Sequence, residues 1–257
     1  MVKRIDRTGE IKVNNFGSKI IIQTYRNKRH VDIYFPEYNW TFYHSNYSNF
    51  TSGNIKCPYE RRICNIGYFG EGYYTEKEYQ RIYSVWRDLI RRTYDAYSIN
   101  RDKNLAYKDV TVCTEWHNFQ NFAKWYEENY YEINDENMML DKDILCKGNK
   151  IYNPTNCIFV PARINNLFTK SNNARGEFPI GVCYRKDNQK FQSYCNIMQE
   201  NTKVKKHLGF YNTPTEAFIV YKNFKESYIK QVADEYKELI PIKLYNAMYS
   251  YEVEITD

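Results

Sequence analysis

The sequence predicts an α+β protein of three modules, and three observations along its 257 residues lead there. Short alternating apolar runs fill the first 74 residues, apolar residues at helical spacing follow from Tyr79, and after residue 171 three more strand-like runs precede one long amphipathic segment. The expected architecture is a small N-terminal β module at 1–74, central helices plus a ββα core at 75–170, and a C-terminal three-stranded antiparallel sheet with one packing helix at 171–257.

In the first module, residues 19–25, 30–35 and 40–47 read as strands, with Ile20, Ile22 and Tyr25, then Val31, Ile33 and Phe35, as the apolar positions. The turn Arg26-Asn27-Lys28-Arg29 either touches phosphates or is a solvated hairpin tip. Thr75 and Glu78 have the spacing of a capping box, which starts a helix there. Along it Tyr79, Ile82, Trp86, Leu89 and Ile90 share one stripe. Arg81, Arg91 and Arg92 are left on the other side, as backbone-phosphate contacts or a solvated face. A second helix from Thr114 buries Trp116, Phe119, Phe122 and Tyr126, and next to it His117 is either a replacement base or a satisfied hydrogen-bonding group. The segment Ser-Asn-Asn-Ala-Arg-Gly at 171–176 reads as a flexible join. Strands are then expected at 180–185, 190–197 and 203–211. A helix runs from 214 to about 238, because Thr213 as cap, Pro214 at the first helical position and Glu216 at the third agree. Pro241 is expected to stop it.

The net charge of +6 and pI near 8.7 suggest an acidic partner, and the charge is unevenly spread. Residues 1–74 hold eleven Lys/Arg against six Asp/Glu, 75–170 fourteen of each, 171–209 seven against three, and 210–257 five against eight. Basic surface therefore flanks a neutral middle, which suits modules holding a polyanion while the centre acts on it. The 27 tyrosines serve equally as base-stacking platforms or as amphipathic core. Seven cysteines without a Cys-x-x-Cys pair point to reduced thiols, with a zinc site at Cys146 and Cys157 as the alternative. No run approaches the roughly 18 apolar residues of a membrane span, so a cytoplasmic chain with no membrane partner is expected.

The candidate chemistry lies at 140–167. Asp141 precedes Asn156 by fifteen positions and Asn165 follows by nine. A strand carrying Asp141, a return strand and a helix from Pro161 would bring Asp141 and Asn165 to one point, an oxygen-ligand pair for Mg2+ or Mn2+. The other reading is that all three are ordinary turn and cap residues, a common role for Asn and Asp. In the C-terminal sheet, strand alternation sends Phe191, Ser193, Cys195 and Ile197 toward the helix and Lys190, Gln192, Tyr194 and Asn196 outward. Arg185, Lys203, Lys205 and His207 extend that basic outer face, which otherwise is simply a solvated sheet surface.

The central spacing, together with Trp86-Arg-Asp-Leu-Ile-Arg-Arg and Val112-Cys-Thr-Glu-Trp-His-Asn-Phe, resembles the HNH nuclease motif as it occurs in phage-encoded proteins, over roughly residues 75–170. The resemblance implies a ββα-metal fold with Asp141 as a metal ligand, Asn156 bracing the hairpin and Asn165 in place of the last histidine. Lys142 stands where the family has its water-activating histidine. A lysine ammonium, with a reference pKa of about 10.4, is no proton acceptor at neutral pH. A lowered pKa at Lys142, Asp143 as substitute base, or loss of cleavage would each accommodate this. Further on, Gly181-Val-Cys-Tyr-Arg-Lys, Lys190-Phe-Gln-Ser-Tyr, His207-Leu-Gly-Phe-Tyr and Thr215-Glu-Ala resemble the Apetala-type DNA-binding domain of plant ethylene-response factors, which also follows HNH modules in homing-type endonucleases. That resemblance implies a sheet entering the DNA major groove. The expected function is a metal-dependent DNA endonuclease of phage or mobile-element type acting on double-stranded DNA, with pairing of two copies left open. The alternative is a catalytically silent DNA-binding regulator or anti-defence protein, and a third class is a protein-binding module using tyrosine-rich surfaces.

Overall fold

The computed structural model describes residues 5–95, 109–169, 177–199 and 202–255. The fold is α+β, with an antiparallel four-stranded sheet near the N-terminus and an antiparallel three-stranded sheet plus helix near the C-terminus. The chain forms two compact units. One comprises residues up to 129 with 150–154, the other residues 130–149 with 155 onward. Among the described residues no helix is long and apolar enough to cross a membrane.

In the first unit, β1 (Ile11–Val13), β2 (Lys19–Asn27), β3 (His30–Phe35) and β4 (Trp40–Ser45) lie in sequential order. Alternation puts Ile20, Ile22, Val31, Ile33 and Phe35 on one face, where they bury against Phe50, Ile55 and Cys57. Two elements were not expected. The three-residue β1 is too short for a period to show, and α1 (Tyr47–Ser52) replaces the end of the fourth strand because the Asn46 side chain accepts from the Asn49 N–H at 2.8 Å. The Thr75/Glu78 contacts do form, with the Glu78 N–H donating to Thr75 Oγ1 at 3.2 Å. They close a single turn, however, and α2 (Gln80–Tyr94) starts after it, burying Ile82, Trp86, Leu89 and Ile90.

After β5 (Thr111–Val112) the helix expected from Thr114 is interrupted. A 3-10 turn at Thr114–His117 gives way at Asn118, whose backbone is extended, before α3 (Phe119–Asn129). The buried residues are those expected, Trp116, Phe119, Phe122 and Tyr126, joined by Trp125. The Trp86 indole donates to the Trp116 carbonyl at 2.7 Å, fastening the two aromatic segments. The chain enters the second unit for β6 (Met138–Asp141) and returns to the first for β7 (Ile151–Tyr152), which pairs in parallel with β5.

In the second unit β8 (Ile158–Pro161) runs antiparallel to β6 and leads directly into α4 (Ala162–Phe168). The segment 171–176, expected as a flexible join, lies outside the described residues. The sheet then has the order β11-β10-β9, from β9 (Val182–Arg185), β10 (Lys190–Gln199) and β11 (Thr202–Tyr211). Leu208 is an extra residue on β11, since Ser193 pairs with Gly209 and Tyr194 with His207; Gly209 takes this bulge at φ +130°.

The next helix, α5 (Pro214–Glu235), opens with the expected capping box between Thr213 and Glu216. Its first half, through Ala217, Phe218 and Tyr221, packs on Val182 and Cys195 of the sheet. Its second half, through Tyr228, Ile229, Val232 and Ala233, packs on Ile158, Val160, Ile164 and Leu167 of the hairpin and its helix. Pro241 does not stop α5, which ends at Glu235; it caps a further helix, α6 (Ile242–Tyr249), where its missing N–H costs nothing. Leu244 and Met248 of α6 complete the second cluster.

Candidate nucleic-acid interface and metal site

The β6–β8 hairpin pairs Asp141 with Ile158 and Met139 with Val160, so Asp141 ends the outgoing strand at the mouth of a loop. Asp141 Oδ1 accepts two backbone N–H groups, from Asp143 at 2.8 Å and Ile144 at 2.7 Å, and nucleates the turn that follows. Among the described residues no donor reaches its second oxygen. Burial first, and the Asp143 carboxylate next, push the Asp141 carboxyl up to about 6 despite those two amides. Lys142 ion-pairs with Asp143 at 2.8 Å, and its side chain is only 11% exposed. The candidate base and its substitute thus hold each other.

Asn156 donates to Asn149 Oδ1 at 3.2 Å, and Asn149 in turn donates to the Lys142 carbonyl at 2.6 Å. This chain ties the return strand to the residue after Asp141. Asn149 was missed in the sequence because a loop asparagine beside Gly148 carries no signal apart from turn formation. The Asn165 amide reaches the sulfur of Met139 at 3.8 Å, and Met139 shares the strand face of Asp141 two residues earlier. Asn165 therefore stands over the same face of β6 as Asp141. The free Asp141 oxygen and the Asn165 carbonyl are hard donors of the type a divalent cation takes, and a cation there would relieve the strained ionisation of Asp141. Among the described residues no group of three or more His, Cys, Asp or Glu is placed to hold a metal. All seven cysteines are free.

His117 Nε2 donates to the Val112 carbonyl at 3.1 Å, and burial lowers its basicity. It belongs to the first compact unit, whereas Asp141 belongs to the second. Arg91 and Arg92 on α2 are also in the first unit. Arg91 is exposed, as the helical stripe implies. Arg92 differs: its guanidinium lies 5.2 Å from the Tyr152 ring and its Nε is buried without a partner. Flanking the last buried turn, its stem follows apolar surface inward.

The outer face of the C-terminal sheet is built across all three strands. Arg185 on β9 donates from Nε to Gln192 Oε1 at 2.7 Å, and Gln192 on β10 donates from Nε2 to His207 Nδ1 on β11 at 2.8 Å. With Nδ1 accepting, His207 keeps Nε2 as its remaining donor. The His207 ring packs against exposed Phe210, centroids 4.7 Å apart. One register step along, Lys205 Nζ sits 3.6 Å over the Tyr194 ring. Lys190 pairs with Arg185 at the other end and is exposed, as is Lys203. Seven residues expected on this face, Arg185, Lys190, Gln192, Tyr194, Lys203, Lys205 and His207, thus come from one sheet. Gln192 and Tyr194 are half-buried, held by their neighbours.

Comparison with family models, with curated proteins and with solved structures finds no match to this chain.

Proposed function

We propose that the protein binds double-stranded DNA through the outer face of the β9–β11 sheet. The observation that carries this reading is the Arg185–Gln192–His207 row, in which side chains able to address base edges are held across three strands before any ligand arrives. An arginine fork and an amide are the groups that read guanine and adenine in the major groove, and fixing their rotamers beforehand lowers the entropic cost of binding. Lys190 and Lys205 around the row suit phosphate contact. What supports duplex over a protein partner is this concentration of cations with no carboxylate in the row.

In the same reading the ββα segment of the second unit is a hydrolytic site for the phosphodiester backbone. Asp141 and Asn165 would hold Mg2+ or Mn2+, which supplies charge neutralisation at the scissile phosphate. Asn156 and Asn149 set the hairpin, and the Lys142–Asp143 pair stands beside the metal ligand. Incubation of supercoiled plasmid with Mg2+ or Mn2+ tests the site: nicking that disappears in Asp141→Ala is expected, and equal nicking in both proteins removes the assignment. A second reading, DNA binding without cleavage, draws on the Lys142–Asp143 ion pair, which occupies the nearest base. It predicts duplex affinity unchanged by Asp141→Ala and no nicking by the unmodified protein.

A further inference from the structure

A cavity of about 570 Å3 lies within the second unit, between α4, the sheet and α5. It opens beyond the short β9, where β10 from Cys195 onward has no strand partner on that side. Two ammonium groups line it, Lys203 from β11 and Lys225 from α5. Neither makes a hydrogen bond or ion pair among the described residues, and no described aspartate or glutamate lines the cavity. Lys225 lies on the apolar side of α5, four residues after Tyr221 and three before Tyr228, both buried. Burial lowers its basicity, and Lys203 is close enough to lower it further. Lys203 at the rim and Lys225 on the wall repel across this half-open space, with no described carboxylate between them, and a bound anion would relieve that repulsion and favour the charged form of Lys225. Arg163 also lines the space, but its guanidinium is engaged by Glu235.

The volume exceeds what an inorganic anion needs and falls in the range of sites for small organic ligands. The remaining lining includes four tyrosines, Tyr194, Tyr221, Tyr228 and Tyr251, and two amides, Asn166 and Asn196. Such a wall suits a heteroaromatic ring. We propose that this cavity binds a nucleotide, its phosphate held between Lys203 and Lys225 and its base laid against the tyrosine wall. The nucleotide is either free in solution or one unit of an opened strand. The chemistry of recognition is the same for both, and the proposal does not depend on duplex binding by the outer face.

Calorimetric titration of the full chain at fixed ionic strength tests it, with adenosine monophosphate, adenosine and inorganic phosphate as probes. The monophosphate should bind about tenfold or more tighter than either fragment, and Lys225→Met and Lys203→Gln should each weaken it about tenfold or more. Lys225→Met keeps the stem in its apolar setting, while Lys203→Gln changes an exposed strand position, so at least one variant leaves the fold undisturbed. Lys190→Gln, at the far end of β10, should weaken duplex binding and leave the monophosphate unaffected. Monophosphate no tighter than phosphate alone, or unchanged in both lysine variants, overturns the proposal. A single-stranded oligonucleotide that displaces the monophosphate identifies the strand as the source, and one that binds alongside it identifies the free nucleotide; both outcomes uphold the shared chemistry.

Discussion

A carboxylate held near 6 at Asp141 has a thermodynamic consequence that can be measured without DNA. Its folded pKa lies above the unfolded reference of about 3.9, so the protonated form favours folding. That contribution is complete below about pH 4 and is lost as pH rises through about 6. Asp141→Asn keeps an acceptor for the two turn amides and removes the charge. It should therefore raise the melting temperature at pH 8, by the equivalent of about 1–3 kcal/mol, and change little at pH 4. A bound divalent cation reverses the sense: Mg2+ or Mn2+ should stabilise the unmodified protein and not the asparagine variant. Thermal melts at the two pH values, with and without metal, read both effects. Gly181 is a second residue whose role is local. It adopts φ +75°, and an added Cβ would lie 2.1 Å from the Tyr221 ring, so Gly181→Ala should destabilise strongly in denaturant titration.

The outer row of the sheet makes its prediction as an element, because its side chains are coupled across strands. Gln192 is the middle member, accepting from Arg185 and donating to His207. Gln192→Ala should release both neighbours, cost about 1–3 kcal/mol in binding to a preferred duplex and relax discrimination between sequences. Lys190→Gln should instead weaken all duplexes alike and reduce the slope of log affinity against log salt by about one. Binding curves on two unrelated duplexes at several salt concentrations separate the two behaviours. Equal losses on both duplexes for Gln192→Ala would make the row a structural clasp with no part in reading sequence.

For the second unit as a whole, α5 has two jobs. Its N-terminal half covers the three-stranded sheet and its C-terminal half covers the hairpin that carries Asp141. A fragment starting at residue 171 would retain the sheet, yet would strip Ile158, Val160, Ile164 and Leu167 from Ile229, Val232 and Ala233. Removing that cover exposes a stripe of fully buried aliphatic surface. The fragment should therefore show a broadened, less cooperative thermal transition and self-association, measured by calorimetry and light scattering. A sharp transition in a monomeric fragment would show that the sheet and helix suffice. In the intact chain, Val232→Ala should cost about 1–3 kcal/mol and loosen hairpin and helix together, readable as faster amide exchange at Ile158 and Val160.

Local pattern alone determined much of this molecule. Period-two runs gave the strands at His30–Phe35 and Lys190, and the Thr213-Pro214-Glu216 signal started α5 where it begins, since alternation and capping depend on a few neighbouring residues. The same pattern assigned the outer face of the sheet, because side chains on alternate sides of a strand cannot exchange faces. Distant contacts decided the rest. An apolar stripe shows that a helix must be covered and is silent about what covers it, so only the tertiary structure put the Asp141 hairpin on α5 and turned Pro241 from a terminator into a cap. Lys225 had a faint sequence signal, a cation inside the Tyr221–Tyr228 stripe. Its meaning appeared once Lys203, twenty-two residues earlier on another element, was brought to the rim of the same cavity, where two like charges face each other.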